Sequence, residues 1–346
     1  MIVLTFIGTG PADGAGLWDG VEVAWRDDPR PAADVPGAFE PPPGRRAVRR
    51  SRRRGRQVAP PPEVRPAPPP ASSQPPRPAA ADVRTAAVAH RGQRYGAEGN
   101  ARQRFDLHLP EGCAGGSVPL VVWIRGTDWR GGQQEDCPLL WLVREGFAVA
   151  SIDYRPSDVA LFPAQLDDCR AAVAALQRDA ELWGIDPERV CVLGRAAGGH
   201  LAALLAFAAP EAPAAGGGVA AVVAIGAPCH LASLGNVHQR GTSAASRLVG
   251  GPLAEFREAA RKASPLEYVS AEAPPTLILH GARDANVPAE QSLQLDRALK
   301  AAGADSTLVM LDDEGAAVDA GSVSGRAVRR FLDRVLGPGQ GDGTAR

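Results

Sequence analysis

The pattern of apolar and polar positions changes character near residue 86. Beyond it, residues 104–109 (RFDLHL) alternate as a half-buried strand does. Val118–Ile124 (VPLVVWI) and residues 147–154 (FAVASIDY) are nearly continuous apolar runs, the signature of strands covered on both faces. Residues 162–183 then follow helical spacing through Leu166, Cys169, Val173, Leu176 and Leu182. Residues 190–193 predict a strand that runs into a Gly-rich turn, and residues 201–207 predict the helix after it. Residues 219–225 and 276–280 read as further strands, Glu290–Ala302 as a helix, 307–311 as a strand, and 324–336 as a last amphipathic helix. Strands alternating with helices imply a mostly parallel, doubly wound sheet of the α/β class. A Gly- and Ser-rich insert at about 229–270 interrupts the alternation.

Residues 1–84 carry no such pattern. They hold 17 of the 32 prolines and 13 Arg against 9 acidic residues, with a basic run at 45–56 (RRAVRRSRRRGR). Sequence of this kind buries too little apolar surface to offset its ordering entropy. The expectation is a disordered Pro/Arg-rich leader over 1–85, one globular domain over 86–337, and a flexible tail over 338–346. The net charge of −1 excludes a strongly basic nucleic-acid binder as the whole chain. The run at 45–56 keeps open an adaptor that binds nucleic acid or an acidic partner, although no aromatic residue interleaves the arginines. No apolar run reaches membrane-spanning length, and the short opening MIVLTFIG lacks a basic flank, so the default location is the cytoplasm. Cys113, Cys137, Cys169, Cys191 and Cys229 show neither zinc spacing nor a disulfide framework, and no metal or cofactor is expected.

The chemistry-bearing motif is the turn Gly194-Arg195-Ala196-Ala197-Gly198 between a strand and a helix. A nucleophile elbow of the form G-x-S-x-G places a Ser on such a bend. Here Ala196 stands at the Ser position. From about Arg94 to Leu336 the chain resembles α/β-hydrolase esterases of the hormone-sensitive-lipase and feruloyl/acetylxylan-esterase-like groups. The resemblance rests on Tyr95, Arg104-Phe-Asp-Leu-His-Leu-Pro110, Trp129-Arg-Gly-Gly132 and Asp153-Tyr154-Arg155. It continues through Phe162-Pro163-Ala164-Gln165, Asp168-Cys169-Arg170, 184–189 (GIDPER), Ala263-Ser264-Pro265 and His280-Gly281.

That resemblance implies an α/β-hydrolase fold with a small cap-like insert, and acyl transfer by Ser, acid and His in that chain order. Asp284, in His280-Gly-Ala-Arg-Asp284-Ala-Asn-Val-Pro288, stands at the acid position. Ala316 stands at the His position, and no His follows His280 in the sequence. The oxyanion loop reads Arg125-Gly126-Thr127-Asp128-Trp129 where relatives read His-Gly-Gly-Gly-Trp. Gly126, Thr127 and Ala197 are its remnant, and Asp128 brings negative charge where an oxyanion develops.

Arg125, Asp128, Arg195, Asp284 and Glu314 are expected to converge on one crevice, either as an ion-paired plug or as a polar pocket. The plug is the expected arrangement. The resemblance thus implies a catalytically inactive homologue that binds a small molecule or a protein. An ester hydrolase with a displaced nucleophile is the alternative, drawing on Ser233, Ser243, Ser246 or Cys229 with His230 or His238. His200 and His280 read as structural.

Overall fold

Among the described residues the sheet begins at Ala87, ahead of the first strand that the pattern predicts. The computed structural model describes residues 87–96, 100–113, 117–126, 128–130, 137–208, 218–235, 241–312 and 317–337. The expected leader and tail, the basic run, Thr127, His238, Glu314 and Ala316 lie outside them.

The order of elements is β1 (Ala87–Arg94), β2 (Arg104–Pro110), β3 (Val118–Ile124), α1 (Trp141–Arg144), β4 (Ala148–Ile152), α2 (Ala164–Arg178), α3 (Ala180–Trp183), β5 (Ile185–Arg195), α4 (Ala197–Phe207) and β6 (Ala221–Ile225). There follow α5 (Ala244–Val249), α6 (Arg257–Lys262), β7 (Thr276–Gly281), α7 (Glu290–Ala302), β8 (Ser306–Leu311) and α8 (Val323–Leu336). The strands form one sheet in the order β1-β2-β4-β3-β5-β6-β7-β8. β1 and β2 are antiparallel to their neighbours, and β4 to β8 with β3 run parallel. This is the α/β-hydrolase architecture.

Both faces of the sheet are covered, which explains the unbroken apolar runs. One face packs Leu120, Val122 and Ile124 of β3 with Leu166, Cys169, Leu201, Leu204 and Leu295 from α2, α4 and α7. The other packs Val121 and Trp123 with Leu142 of α1 and Val328, Phe331 and Leu332 of α8. Every residue of β3 is buried.

The helix expected over 162–183 is two helices. α2 ends at Arg178 and Asp179 breaks the phase before α3. Leu182 therefore faces solvent, 75% exposed, instead of continuing the buried stripe. β1 was not predicted, because its register slips between His90 and Gln93, where Gly92 takes φ +63°. A bulge of that kind erases strict alternation. The stretch 229–270 holds α5, α6 and two short 3₁₀ turns.

Candidate functional site

Strand β5 delivers Arg195, and α4 begins at Ala197. Ala196 between them has φ 49° and ψ −118°. That region is nearly closed to a residue with a Cβ. Backbone bonds hold it there: the Ala196 N–H donates to Ile225 O at 2.8 Å, and Ala196 O accepts from the His200 N–H at 2.9 Å.

The glycines around the bend are required by contact. A Cβ on Gly198 would lie 2.0 Å from Ile124 O, and one on Gly194 would lie 2.3 Å from the Gly198 carbonyl carbon. A Cβ on Gly126 would lie 1.7 Å from Arg195 O. The end of β3, the end of β5 and the start of α4 thus touch backbone to backbone, as close-approach glycines permit.

Asp284 sits on the loop after β7. Its Oδ1 accepts from the Asn286 N–H at 2.8 Å and the Val287 N–H at 3.0 Å. Its Oδ2 lies beside Gly226. His280 anchors the same loop from below. Its Nε2 is 2.9 Å from Val287 O, which only accepts, so Nε2 carries the proton, and Nδ1 accepts from Ser292 Oγ at 2.6 Å.

Arg195, Ala196, Ile225, Gly226, Gly281, Asp284, Asn286 and Val287 line one cleft of about 80 Å³. Among these lining residues there is no hydroxyl, thiol or imidazole.

The five charges expected at one crevice do not all meet there. Arg195 and Asp284 share the cleft, and among the described residues no ion pair joins Arg195 to a partner. Arg125 instead turns into the protein, only 4% exposed, with Nη2 2.6 Å from Asp153 Oδ1. It is therefore not among the residues that line the cleft. Asp128 is exposed on a turn at φ 53°. Trp129, also at positive φ, is buried and donates its Nε1–H to His200 Nδ1 at 3.1 Å.

His200 Nε2 in turn donates to Ala263 O at 2.6 Å. One buried imidazole therefore ties the loop after β3, the start of α4 and the end of α6 together. Burial lowers its pKa from the ordinary 6.5 to about 4, so it is neutral at pH 7. The Trp129–His200–Ala263 chain was not foreseen, although Trp129 and His200 both stand in recognisable motifs.

The displaced groups are also accounted for. Cys229 is buried, its thiol donates to Gln291 O at 2.8 Å, and burial pushes its pKa up to about 12. It is a thiol and not a nucleophile at neutral pH. Ser243 caps α5 by accepting from the Ser246 N–H, and Ser246 is fully buried. Ser233 Oγ lies 2.8 Å from His230 Nδ1 and accepts from Gln291 Nε2 at 3.0 Å. Neither Ser233 nor His230 lines the cleft. No group of three or more His, Cys, Asp or Glu among the described residues is arranged for a metal ion.

The BD-FAE family model matches residues 105–299, more than half of the chain. The chain is 30% identical over 225 residues to esterase LipQ of Mycobacterium tuberculosis, covering 61% of this chain and 52% of that one. It is 27% identical over 227 residues to isoprenylcysteine alpha-carbonyl methylesterase ICME of Arabidopsis thaliana, covering 60% and 52%. The chain spans about half the length of these curated relatives. Among solved structures, a truncated carbohydrate esterase from gut microbiota superposes with a TM-score of 0.66 at 23% identity, covering 73% of this chain and 97% of that one. Thermogutta terrifontis esterase 2 superposes at 0.54 with 21% identity, covering 72% and 92%. With the elbow, the acid loop and the sheet order in place, the chain belongs to the BD-FAE family and to the α/β-hydrolase-fold esterases.

Proposed function

We propose that this chain is an esterase homologue that has lost acyl transfer and keeps its cleft for binding. One observation carries the reading: among the described residues, the cleft at the elbow is lined by Ala196 and Asp284 with no Ser, Thr, Cys or His. A methyl group has no lone pair for a carbonyl carbon, and Asp284 has no imidazole to orient. Loss of nucleophile and base together removes the acyl-transfer machinery as a unit. Ala316 stands at the family's His position, and the sequence beyond His280 supplies no replacement histidine.

The cleft geometry favours a polar pocket over the plug. Arg195 is exposed at its rim, and Asp284 Oδ2 faces it beside Gly226. A small ligand bearing both an acceptor and a donor group fits that pair of charges.

The Ser233–His230 contact favours a second reading, hydrolysis from a displaced serine. Among the described residues no acid bonds that imidazole and no cluster of donors for an oxyanion stands beside Ser233.

Turnover of p-nitrophenyl acetate decides between them. The expected rate equals that of heat-killed protein. A rate well above it that disappears in Ser233→Ala establishes the second reading. Ala196→Ser combined with Ala316→His tests the frame, and recovered turnover shows that the family's geometry persists around the cleft.

A further inference from the structure

Asp284 lines the cleft at Ala196 with its two oxygens in different states. The N–H groups of Asn286 and Val287 hold Oδ1 at 2.8 and 3.0 Å, which fixes the rotation of the carboxylate. Oδ2 is thereby turned to Gly226, which also lines the cleft. Gly226 has φ +50°, and a Cβ there would stand 3.2 Å from Oδ2, so the glycine keeps that flank of the oxygen uncovered. Among the described residues no N–H or O–H group donates to Oδ2 and no cation pairs with it. A carboxylate oxygen left this way selects a donor, and a charged donor binds it about twice as strongly as a neutral one.

The opposite charge stands at the same cleft. Arg195 ends β5, is exposed, and has no ion-pair partner among the described residues, Asp284 included. A guanidinium only donates, so it selects an acceptor. A plain ammonium on Asp284 would meet the repulsion of Arg195, and a plain carboxylate at Arg195 would meet that of Asp284. Asn286 apart, the remaining lining is apolar or glycine, which suits a carbon chain. The volume of about 80 Å³ holds about five to eight water-sized groups. A divalent cation takes about six oxygens, and among the described lining residues it would find one carboxylate.

We propose that the cleft takes a small zwitterion, an ammonium joined to a carboxylate by a short carbon chain, with the ammonium on Asp284 Oδ2 and the carboxylate toward Arg195. This ligand class rests on the reading of the cleft as a binding pocket without acyl transfer.

β-Alanine, which is of the right size, is the probe, with propylamine and propanoate as its one-charge controls. Each is titrated into the full chain at constant ionic strength while the backbone amide NMR shifts of Gly226 and Val287 are followed. β-Alanine should give saturable shifts. Its affinity should fall by about tenfold in Asp284→Asn, because the Asn286 and Val287 N–H groups keep the amide oxygen and leave a donor where Oδ2 was. In Arg195→Gln it should fall by about threefold, since that charge is exposed and screened. Propylamine should bind more weakly than β-alanine and bind better in Arg195→Gln, a reversal of sign that damage to the fold does not produce. No saturable shift with β-alanine, a control binding as tightly as β-alanine, or equal affinity in wild type and Asp284→Asn would each overturn the zwitterion. Turnover of p-nitrophenyl acetate by the same protein separates the two failures. Turnover with the β-alanine results intact removes the inactive reading and leaves the ligand class, whereas absent turnover without β-alanine binding does the reverse.

Discussion

Two turns face each other across the cleft, at Ala196 and at Asp284, and they have fared differently. Each has a buried histidine beside it, used differently. The backbone N–H of His200 bonds Ala196 O while its ring links Trp129 to Ala263 O, and the His280 ring bonds Val287 O in the Asp284 turn itself. The difference lies in what the tip side chain does for its own loop. Asp284 spends one oxygen on the N–H groups of Asn286 and Val287, so the carboxylate folds the turn it sits on. The bend at Ala196 is held by its backbone bonds and by glycine contacts, and the side chain contributes nothing to it. On the proposed loss of acyl transfer, a residue kept for chemistry alone is free to go. A residue that also builds its loop stays.

This contrast is open to measurement. The largest effects should come from the two supporting histidines. His200→Leu orphans the Trp129 indole N–H and Ala263 O, and should cost about 3 kcal/mol by chemical denaturation, with His280→Leu similar. If His280→Leu costs under about 1 kcal/mol, the Asp284 turn does not rest on that ring, and the same result in His200→Leu means that the Trp129–His200–Ala263 link carries little stability.

The same imidazole sets an acid limit. His200 titrates near 4 when folded and near 6.5 when unfolded. The unfolded chain therefore takes up the proton first. Its contribution is fully present above pH 6.5 and is lost as pH falls toward 4, a change of about 3 kcal/mol. A stability profile flat over that window, or unchanged in His200→Leu, contradicts the assignment.

Next in size is Asp284→Ala, which should cost about 1–2 kcal/mol, while Asp284→Asn keeps the Oδ1 acceptor and most of the stability. Equal loss in both would mean that charge, not loop bonding, retains Asp284.

The bend gives the smallest effects, with opposite sign. Ala196→Gly removes the Cβ from φ 49° and should raise stability by about 0.5–1 kcal/mol, after the larger backbone entropy of glycine is set against the relieved strain. Ala196→Ser alone should shift stability by less than about 0.5 kcal/mol and give no ester turnover, since among the described residues no imidazole lines the cleft.

The fold was legible where one kind of signal ran without interruption. Val118–Ile124 and Glu290–Ala302 coincide with their elements because burial on both faces, or on one stripe, writes a clean period. β1 was hidden by its bulge, and the short α5 and α6 by having less than two turns each in which to show a phase. At the site, the identities at 196 and 284 were readable from motif frame. The destination of Arg125 was not. Its number places it in the oxyanion loop, but its partner Asp153 is 28 positions away, just past the end of the neighbouring strand β4, and the parallel register of β3 with β4 brings them together. Whether Arg195 would close onto Asp284 or leave the cleft open was equally beyond sequence, because it depends on side-chain direction.

The contact between Gly126 and Arg195 O, and between Gly198 and Ile124 O, stores the shape of a reaction centre in main chain alone. Selection on that frame and selection on reactivity are then separable traits. Likeness to esterases along β3, β5 and α4 measures how tightly three backbones pass one another. It is a record of descent and of packing, and it would read the same whether the residue at the bend cut esters or merely filled the corner.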